Sequence, residues 1–233
     1  MPTPQLRAPK YFEYCYVCFV AFLLLSNIAA TKLIQVPTPI TPLIFDGGAI
    51  LFPLTYILGD VLTEVYGFVL ARKAILTGFA ISIIASLVFW LVQIAPPADD
   101  WHNQAAFEAI LGFVPRIVAA SLCGFLVGQL LNSVVLSKMK QRFGEKNMWT
   151  RLIGSTVVGE AADTMVFCTI AFYGVITGGT FLNYLITGWA YKVGVEVVFL
   201  PITYLVIGWI KRVEPAYSTE AWLANETHKV EAA

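Results

Sequence analysis

Charge is scarce in this chain. Asp, Glu, Lys and Arg make up 13% of its 233 residues, about half the roughly 25% of an ordinary soluble domain. A soluble surface of this size needs more, which excludes a cytosolic enzyme domain. Net charge is zero, so nothing is left to neutralise phosphates, and nucleic acid is not expected as a partner. The two histidines, His102 and His228, lie outside the apolar runs, and with them goes imidazole chemistry deep in the fold. Neither H-E-x-x-H nor a Cys/His set at zinc spacing occurs, so no metal and no cofactor are expected. A G-x-x-x-x-G-K-[ST] phosphate loop is also missing; the chain is not itself an ATPase. Cys15 and Cys18 fall inside an apolar run and Cys123 and Cys168 are isolated; all four read as packing residues. Asn225-Glu226-Thr227 matches a glycosylation sequon but falls in a predicted cytoplasmic tail and is given no role.

What the chain does have is hydrocarbon. Hydrophobic residues reach 58% and aromatics 14%, the opposite of a disordered composition. A bilayer core takes about 20 apolar residues in helix. Runs 14–31, 74–98 and 117–137 contain no Asp, Glu, Lys or Arg. Runs 47–66, 152–173 and 185–210 are apolar but interrupted by charged residues. The reading is an all-α polytopic membrane protein with six transmembrane helices in one bundle. A turn at 177–183, rich in glycine, separates the last two spans. With both termini cytoplasmic, twelve of the fifteen basic residues face inward, as the positive-inside rule requires. The outer loop 96–108 carries Asp99, Asp100 and Glu108 instead. Trp90, Trp101, Trp149, Trp189 and Trp209 mostly sit near predicted span ends, as an aromatic belt would. Residues 1–10 and 213–233 are then cytoplasmic segments around a transmembrane domain at 11–212. Gly124-x-x-x-Gly128 lets helix backbones approach closely; intramolecular packing is the favoured reading, a homodimer face the alternative.

The charges inside the spans carry the functional argument. Asp60, Glu64, Glu160, Asp163, Lys192 and Glu196 all fall within apolar runs. At about 2.5–3.5 kcal/mol each, six such groups facing lipid would cost roughly 15–20 kcal/mol, above a typical net stability of about 5–15 kcal/mol. They must face a protein interior or a wet cavity. Asp60/Glu64, Glu160/Asp163 and Lys192/Glu196 are spaced i, i+3 or i, i+4, so each pair shares a helix face. At about 1.5 Å per residue, Glu160, Asp163, Lys192 and Glu196 lie near the midplane. Gln129 and Asn132, with Asn27 on the first span, add amide groups. Five acids against one base leave acids that either protonate or meet a cationic or donor-rich ligand. Lys192 as the centre of an internal ion-pair network is the competing reading, and Asp60 with Glu64 could form a gate near the cytoplasmic mouth.

At these residues a family resemblance emerges. Gly59-Asp60-Val61-Leu62-Thr63-Glu64-Val65-Tyr66-Gly67 followed by Ala71-Arg72-Lys73 resembles the signature of the queuosine precursor transporter family, also called the vitamin uptake transporter family. The resemblance continues in Pro115-Arg116 through Ser121, in Gly128-Gln129 with Asn132, and in Ser155-Thr156 with Gly159-Glu160 and Asp163-Thr164. Ile170 through Gly174, Tyr191-Lys192-Val193 and Leu200-Pro201 complete it. It covers about 11–212, nearly the whole chain. Asn132 and Glu160 depart from the family pattern, which commonly has Asp and Gln or Asn there.

The resemblance implies a transporter in the bacterial inner membrane that imports 7-deazaguanine precursors of the modified tRNA nucleoside queuosine, such as the 7-cyano or 7-aminomethyl base. The partners so implied are this small molecule and the lipid bilayer. A guanine-like edge presents N1–H beside an exocyclic amine, and one carboxylate accepts both hydrogen bonds. Glu160 or Asp163 is expected to read that edge. Gln129, Asn132 and Lys192 would supply donors, and Phe52, Tyr56 or Phe167 would cover the flat faces. The alternative is a substrate-binding subunit of a vitamin-type uptake system whose ATPase is a separate chain. An enzyme is not expected, since no nucleophile–base pair or metal site accompanies the buried acids.

Overall fold

The computed structural model describes residues 10–39, 41–143 and 148–214. The expected cytoplasmic segments, apart from residues 10, 213 and 214, and the centre of the loop at 144–147 lie outside the described residues. The described residues form seven α-helices: α1 (Phe12–Ala29), α2 (Phe52–Tyr66), α3 (Phe68–Ile94), α4 (Gln104–Leu111), α5 (Val114–Phe143), α6 (Met148–Phe172) and α7 (Gly178–Val213). Between α1 and α2 the strands β1 (Leu33–Val36) and β2 (Leu43–Asp46) pair antiparallel, Leu33 opposite Asp46 and Val36 opposite Leu43. A short 3₁₀ turn, Gly47–Ile50, leads into α2.

Among the described residues, five helical stretches are long and apolar enough to cross a membrane, by length and composition: α1, α3, a run Gln104–Met139 that takes in α4 and most of α5, Ile153–Phe172 within α6, and α7. Leucines such as Leu25, Leu76, Leu87 and Leu205 stand exposed on their outer faces, which water would oppose and lipid welcomes. This is an all-α polytopic membrane protein with one small β-hairpin inserted.

Three expectations are corrected. The second expected span, 47–66, is not one long helix. Its helical part α2 has 15 residues, about 22 Å at 1.5 Å per residue, short of the roughly 30 Å hydrocarbon core. Pro53 in its first turn starts it, and Gly67 at φ 82° ends it, so that α3 departs after a single residue. The turn expected at 177–183 falls earlier. Val175 and Ile176 donate to the Phe172 carbonyl, Gly174 takes φ 81°, and α7 begins at Gly178. Asn183 is therefore helical. The loop expected on the outer side at 96–108, finally, gives way at Gln104 to a helix of its own, α4.

Packing divides the apolar core between the two ends of the bundle. At the Gly67 end, Phe19 and Val20 of α1 meet Val61, Leu62 and Val65 of α2, Ala74 of α3 and Ile207 of α7. At the hairpin end, Ile117 and Ala120 of α5 meet Cys168 and Phe172 of α6 and Tyr184 of α7. Arg116, at the start of α5, donates from Nε to Ile170 O at 2.6 Å and from a terminal guanidinium nitrogen to Tyr173 O at 2.6 Å. It satisfies carbonyls that the end of α6 leaves open.

Candidate functional site

Between these two cores lies a cavity of about 380 Å³, within the size range of small-molecule sites. Each helix around it contributes one face. Phe52, Tyr56, Asp60 and Thr63 come from α2, Gly128, Gln129 and Asn132 from α5, and Thr156, Glu160, Asp163 and Phe167 from α6. Tyr184, Gly188, Tyr191 and Lys192 come from α7. Apart from the adjacent pairs Gly128/Gln129 and Tyr191/Lys192, these are i, i+3 and i, i+4 steps, the spacing that keeps side chains on one side of a helix. Phe19, Leu23 and Asn27 of α1, Phe79 of α3 and residues 45–49 after the hairpin close the remaining walls.

Glycine sets where the central charge stands. A Cβ on Gly124 would lie 2.7 Å from Asp163 Oδ1, and one on Gly128 would lie 2.8 Å from Asp163 Cβ. Opposite, a Cβ on Gly159 would lie 2.9 Å from Asn132 Cβ. Three glycines thus let α5 and α6 approach backbone to backbone, the intramolecular use of Gly124-x-x-x-Gly128. Asp163 ion-pairs with Lys192 Nζ, and Glu160 Oε2 stands 3.7 Å from the same nitrogen. The ammonium also lies 5.5 Å from the centre of the Phe52 ring, inside cation–π range. Lys192 is thereby held by two carboxylates on one helix and an aromatic face on another.

Two further polar groups flank this centre. At the hairpin end, Asp46 Oδ1 accepts from Gly48 N–H at 2.8 Å and Oδ2 from the Tyr184 hydroxyl at 2.6 Å. Tyr191 donates to Ala49 O at 2.9 Å. Towards the Gly67 end, the Tyr56 and Thr156 hydroxyls interact with the Glu196 carboxylate. Asp60 faces the cavity with no hydrogen-bond or ion-pair partner among the described residues. Among the described residues, four buried side-chain oxygens, Asn132 Oδ1, Glu160 Oε2, Thr164 Oγ1 and Glu196 Oε2, have no hydrogen-bond partner, Glu160 Oε2 being within ion-pair distance of Lys192.

Comparison with known proteins gives this cavity its context. Residues 46–206 match the sequence model of a family described as "Putative vitamin uptake transporter". The chain belongs to the vitamin uptake transporter family. Within this family it is 33% identical over 158 residues to a "Probable queuosine precursor transporter" of Bacillus subtilis (strain 168), a match covering 67% of this chain and 69% of that protein. It is 27% identical over 189 residues to the "Queuosine precursor transporter" of Escherichia coli (strain K12), covering 80% and 83%. A "Probable queuosine precursor transporter" of Haemophilus influenzae is 30% identical over 126 residues, covering 54% and 51%. No solved structure matches the chain. The family stretch contains every cavity residue of α2, α5, α6 and α7 named above.

Of the residues singled out from sequence, Asn27, Phe52, Tyr56, Asp60, Gln129, Asn132, Glu160, Asp163, Phe167 and Lys192 line this one cavity. Two do not. Glu196 sits beside it, reached through Tyr56 and Thr156. Glu64 points away, 59% exposed, and pairs with Lys211 Nζ at 2.6 Å. Asp46, Tyr184, Tyr191 and Thr164 line the cavity but were not singled out. Asp46 is one residue outside the hydropathy boundary at 47, and its side chain is aimed by the hairpin. The sequence signal available for it was Asp46-Gly47-Gly48, a turn-forming run placed directly before a span.

Proposed function

We propose that this chain imports queuosine precursors, the 7-cyano or 7-aminomethyl 7-deazaguanine base, across the bacterial inner membrane. The relatives' names supply the substrate class, and one observation supports it here. Lys192 and the carboxylates that hold it, Asp163 and Glu160, stand together on the wall of an aromatic-lined cavity of about 380 Å³, large enough for a flat bicyclic molecule. In this reading Glu160 accepts from N1–H and the exocyclic amine. Lys192, fixed by Asp163, donates to the ring carbonyl. Phe52, Tyr56 and Phe167 cover the faces, with Gln129 and Asn132 alongside. A site built to pair a substrate's polar edge rejects analogues that lack it. The proposal keeps six crossings with both termini cytoplasmic; α2 makes the sixth together with the 3₁₀ turn and hairpin that complete its depth.

The test is uptake of labelled base into cells that neither make nor otherwise import it. Glu160→Ala and Asp163→Ala should each lose at least tenfold in rate, the scale of a lost charged hydrogen bond, at unchanged membrane levels. Full activity in both removes the assignment. Transport by the purified chain alone in liposomes would dismiss the reading in which a separate ATPase is required.

A further inference from the structure

The Ala71-Arg72-Lys73 motif takes no part in the central cavity; none of its three residues lines it. Its place is on α3. Ala71, Ala74, Gly78 and Phe79 form the buried face of that helix. Arg72 and Lys73 stand exposed on the opposite side. With Val69, Leu76, Thr77 and Ala80 they line a shallow groove of about 400 Å³. These six positions fall at i, i+3, i+4, i+7, i+8 and i+11, one continuous face of a helix.

The face is cationic at one end and apolar along the rest. Among the described residues, neither Arg72 nor Lys73 has an ion-pair or hydrogen-bond partner. Beyond them Leu76, Ile83, Ile84 and Leu87 continue the same face, all exposed. From Leu76 to Leu87 the helix rises about 16 Å at 1.5 Å per residue, half of the roughly 30 Å hydrocarbon core. Cations beside hydrocarbon are costly unless they reach the headgroup layer and find an anion there. A guanidinium forks a phosphate with two N–H donors, and an ammonium adds a point charge. A zwitterionic headgroup brings its own cation and leaves two positive side chains half matched; a net negative headgroup does not.

We propose that this face of α3 binds an anionic phospholipid, its phosphate held by Arg72 and Lys73 and an acyl chain laid along Leu76 to Leu87. Two unmatched cations at the head of an apolar stripe one leaflet long are the complement of such a lipid in both charge and length. The site is separate from the central cavity and independent of what that cavity carries. It lies just past Gly67, where α2 gives way to α3, and the bound headgroup fixes the depth of the first turns of α3 in the membrane.

The experiment is native mass spectrometry of the full chain released from nanodiscs of equal parts phosphatidylglycerol and phosphatidylcholine. Retained phosphatidylglycerol should exceed phosphatidylcholine about tenfold or more, the scale of two basic side chains meeting an anionic headgroup. Arg72→Gln with Lys73→Gln should bring that ratio close to one. Lys138→Gln with Arg212→Gln removes the same two kinds of charge near the ends of α5 and α7 and should leave the ratio unchanged. Equal retention of the two lipids in the unaltered chain overturns the proposal. So does a preference undiminished in the first double variant, or one lost equally in both. Location is read on the unaltered chain, so the result does not hinge on recovery of a folded variant. Phosphatidylglycerol with a photoreactive diazirine in its acyl chain should label peptides within 69–87. Labelling confined to other helices, or abolished by excess inorganic phosphate as at a site for a soluble anion, overturns the proposal as well.

Discussion

At the scale of single residues, the chain's chemistry depends on atoms that are absent. Gly124, Gly128 and Gly159 have no Cβ, and the space so freed is filled by Asp163 and by the facing backbone. Had any of them carried a methyl group, α5 and α6 would separate and Asp163 would move relative to Lys192. Gly128→Ala is therefore expected to destabilise by about 1–3 kcal/mol, the usual cost of overpacking, because Asp163 Cβ at 2.8 Å and Gly159 O at 3.0 Å must both shift. Gly208→Ala, on α7 with nothing within 4 Å, supplies the contrast. It should be neutral or stabilising by up to about 1 kcal/mol through helix propensity. Unfolding in mixed detergent, followed by circular dichroism, measures both. Equal effects at the two positions would show that close backbone approach is not what Gly128 provides.

At the scale of elements, the hairpin is held from outside rather than by its own sequence. It has four residues per strand, and an isolated two-stranded hairpin is marginal in water. Asn183 of α7 accepts from Ile44 N–H at 3.2 Å and donates to Pro42 O at 2.8 Å, while Tyr184 holds Asp46. Asn183→Ala should release the hairpin at a cost of about 1–3 kcal/mol. Amide exchange in 33–46 should quicken while α3 and α5 stay protected, and an unchanged hairpin would count against the anchoring role. This dependence also explains what could be read in advance. The spans of α1, α3, α5, α6 and α7 were legible because lipid demands long apolar runs, and the helix faces of Glu160, Asp163 and Lys192 followed from 3.6-residue periodicity. The hairpin was not legible. Its residues Leu33 to Asp46 contain three prolines and only short apolar stretches, and its register comes from contacts made 139 positions away. Asp46 was missed for the same reason, and α2 was read as a full span because hydropathy does not tell the apolar 3₁₀ turn Gly47–Ile50 from the α-helix that follows it.

At the scale of the whole molecule, the two ends of the bundle are closed by different means. The hairpin and α4 cap one end; at the other, one carboxylate joins three helices. Glu214, just beyond α7 and 4% exposed, accepts from Lys10 N–H at 2.8 Å and Tyr11 N–H at 3.0 Å, where α1 begins, and from the Tyr66 hydroxyl at 3.0 Å, where α2 ends. A negative group at the start of α1 also meets its helix dipole favourably. The neighbouring Glu64–Lys211 pair spans the same gap, but Glu64 is largely exposed, and surface pairs contribute little. A transporter must open each end in turn, and an end where one carboxylate joins three helices is one that a single substitution should loosen. Glu214→Ala is expected to cost about 1–3 kcal/mol locally, whereas Glu64→Gln should change little. Hydrogen exchange in a lipid nanodisc tests this by region. With Glu214→Ala, amides at 10–16 and 206–213 should exchange faster while those at 33–46 and 114–121 keep their protection. If both ends loosen together, the bundle opens as one unit and Glu214 is a global brace rather than the closure of one end.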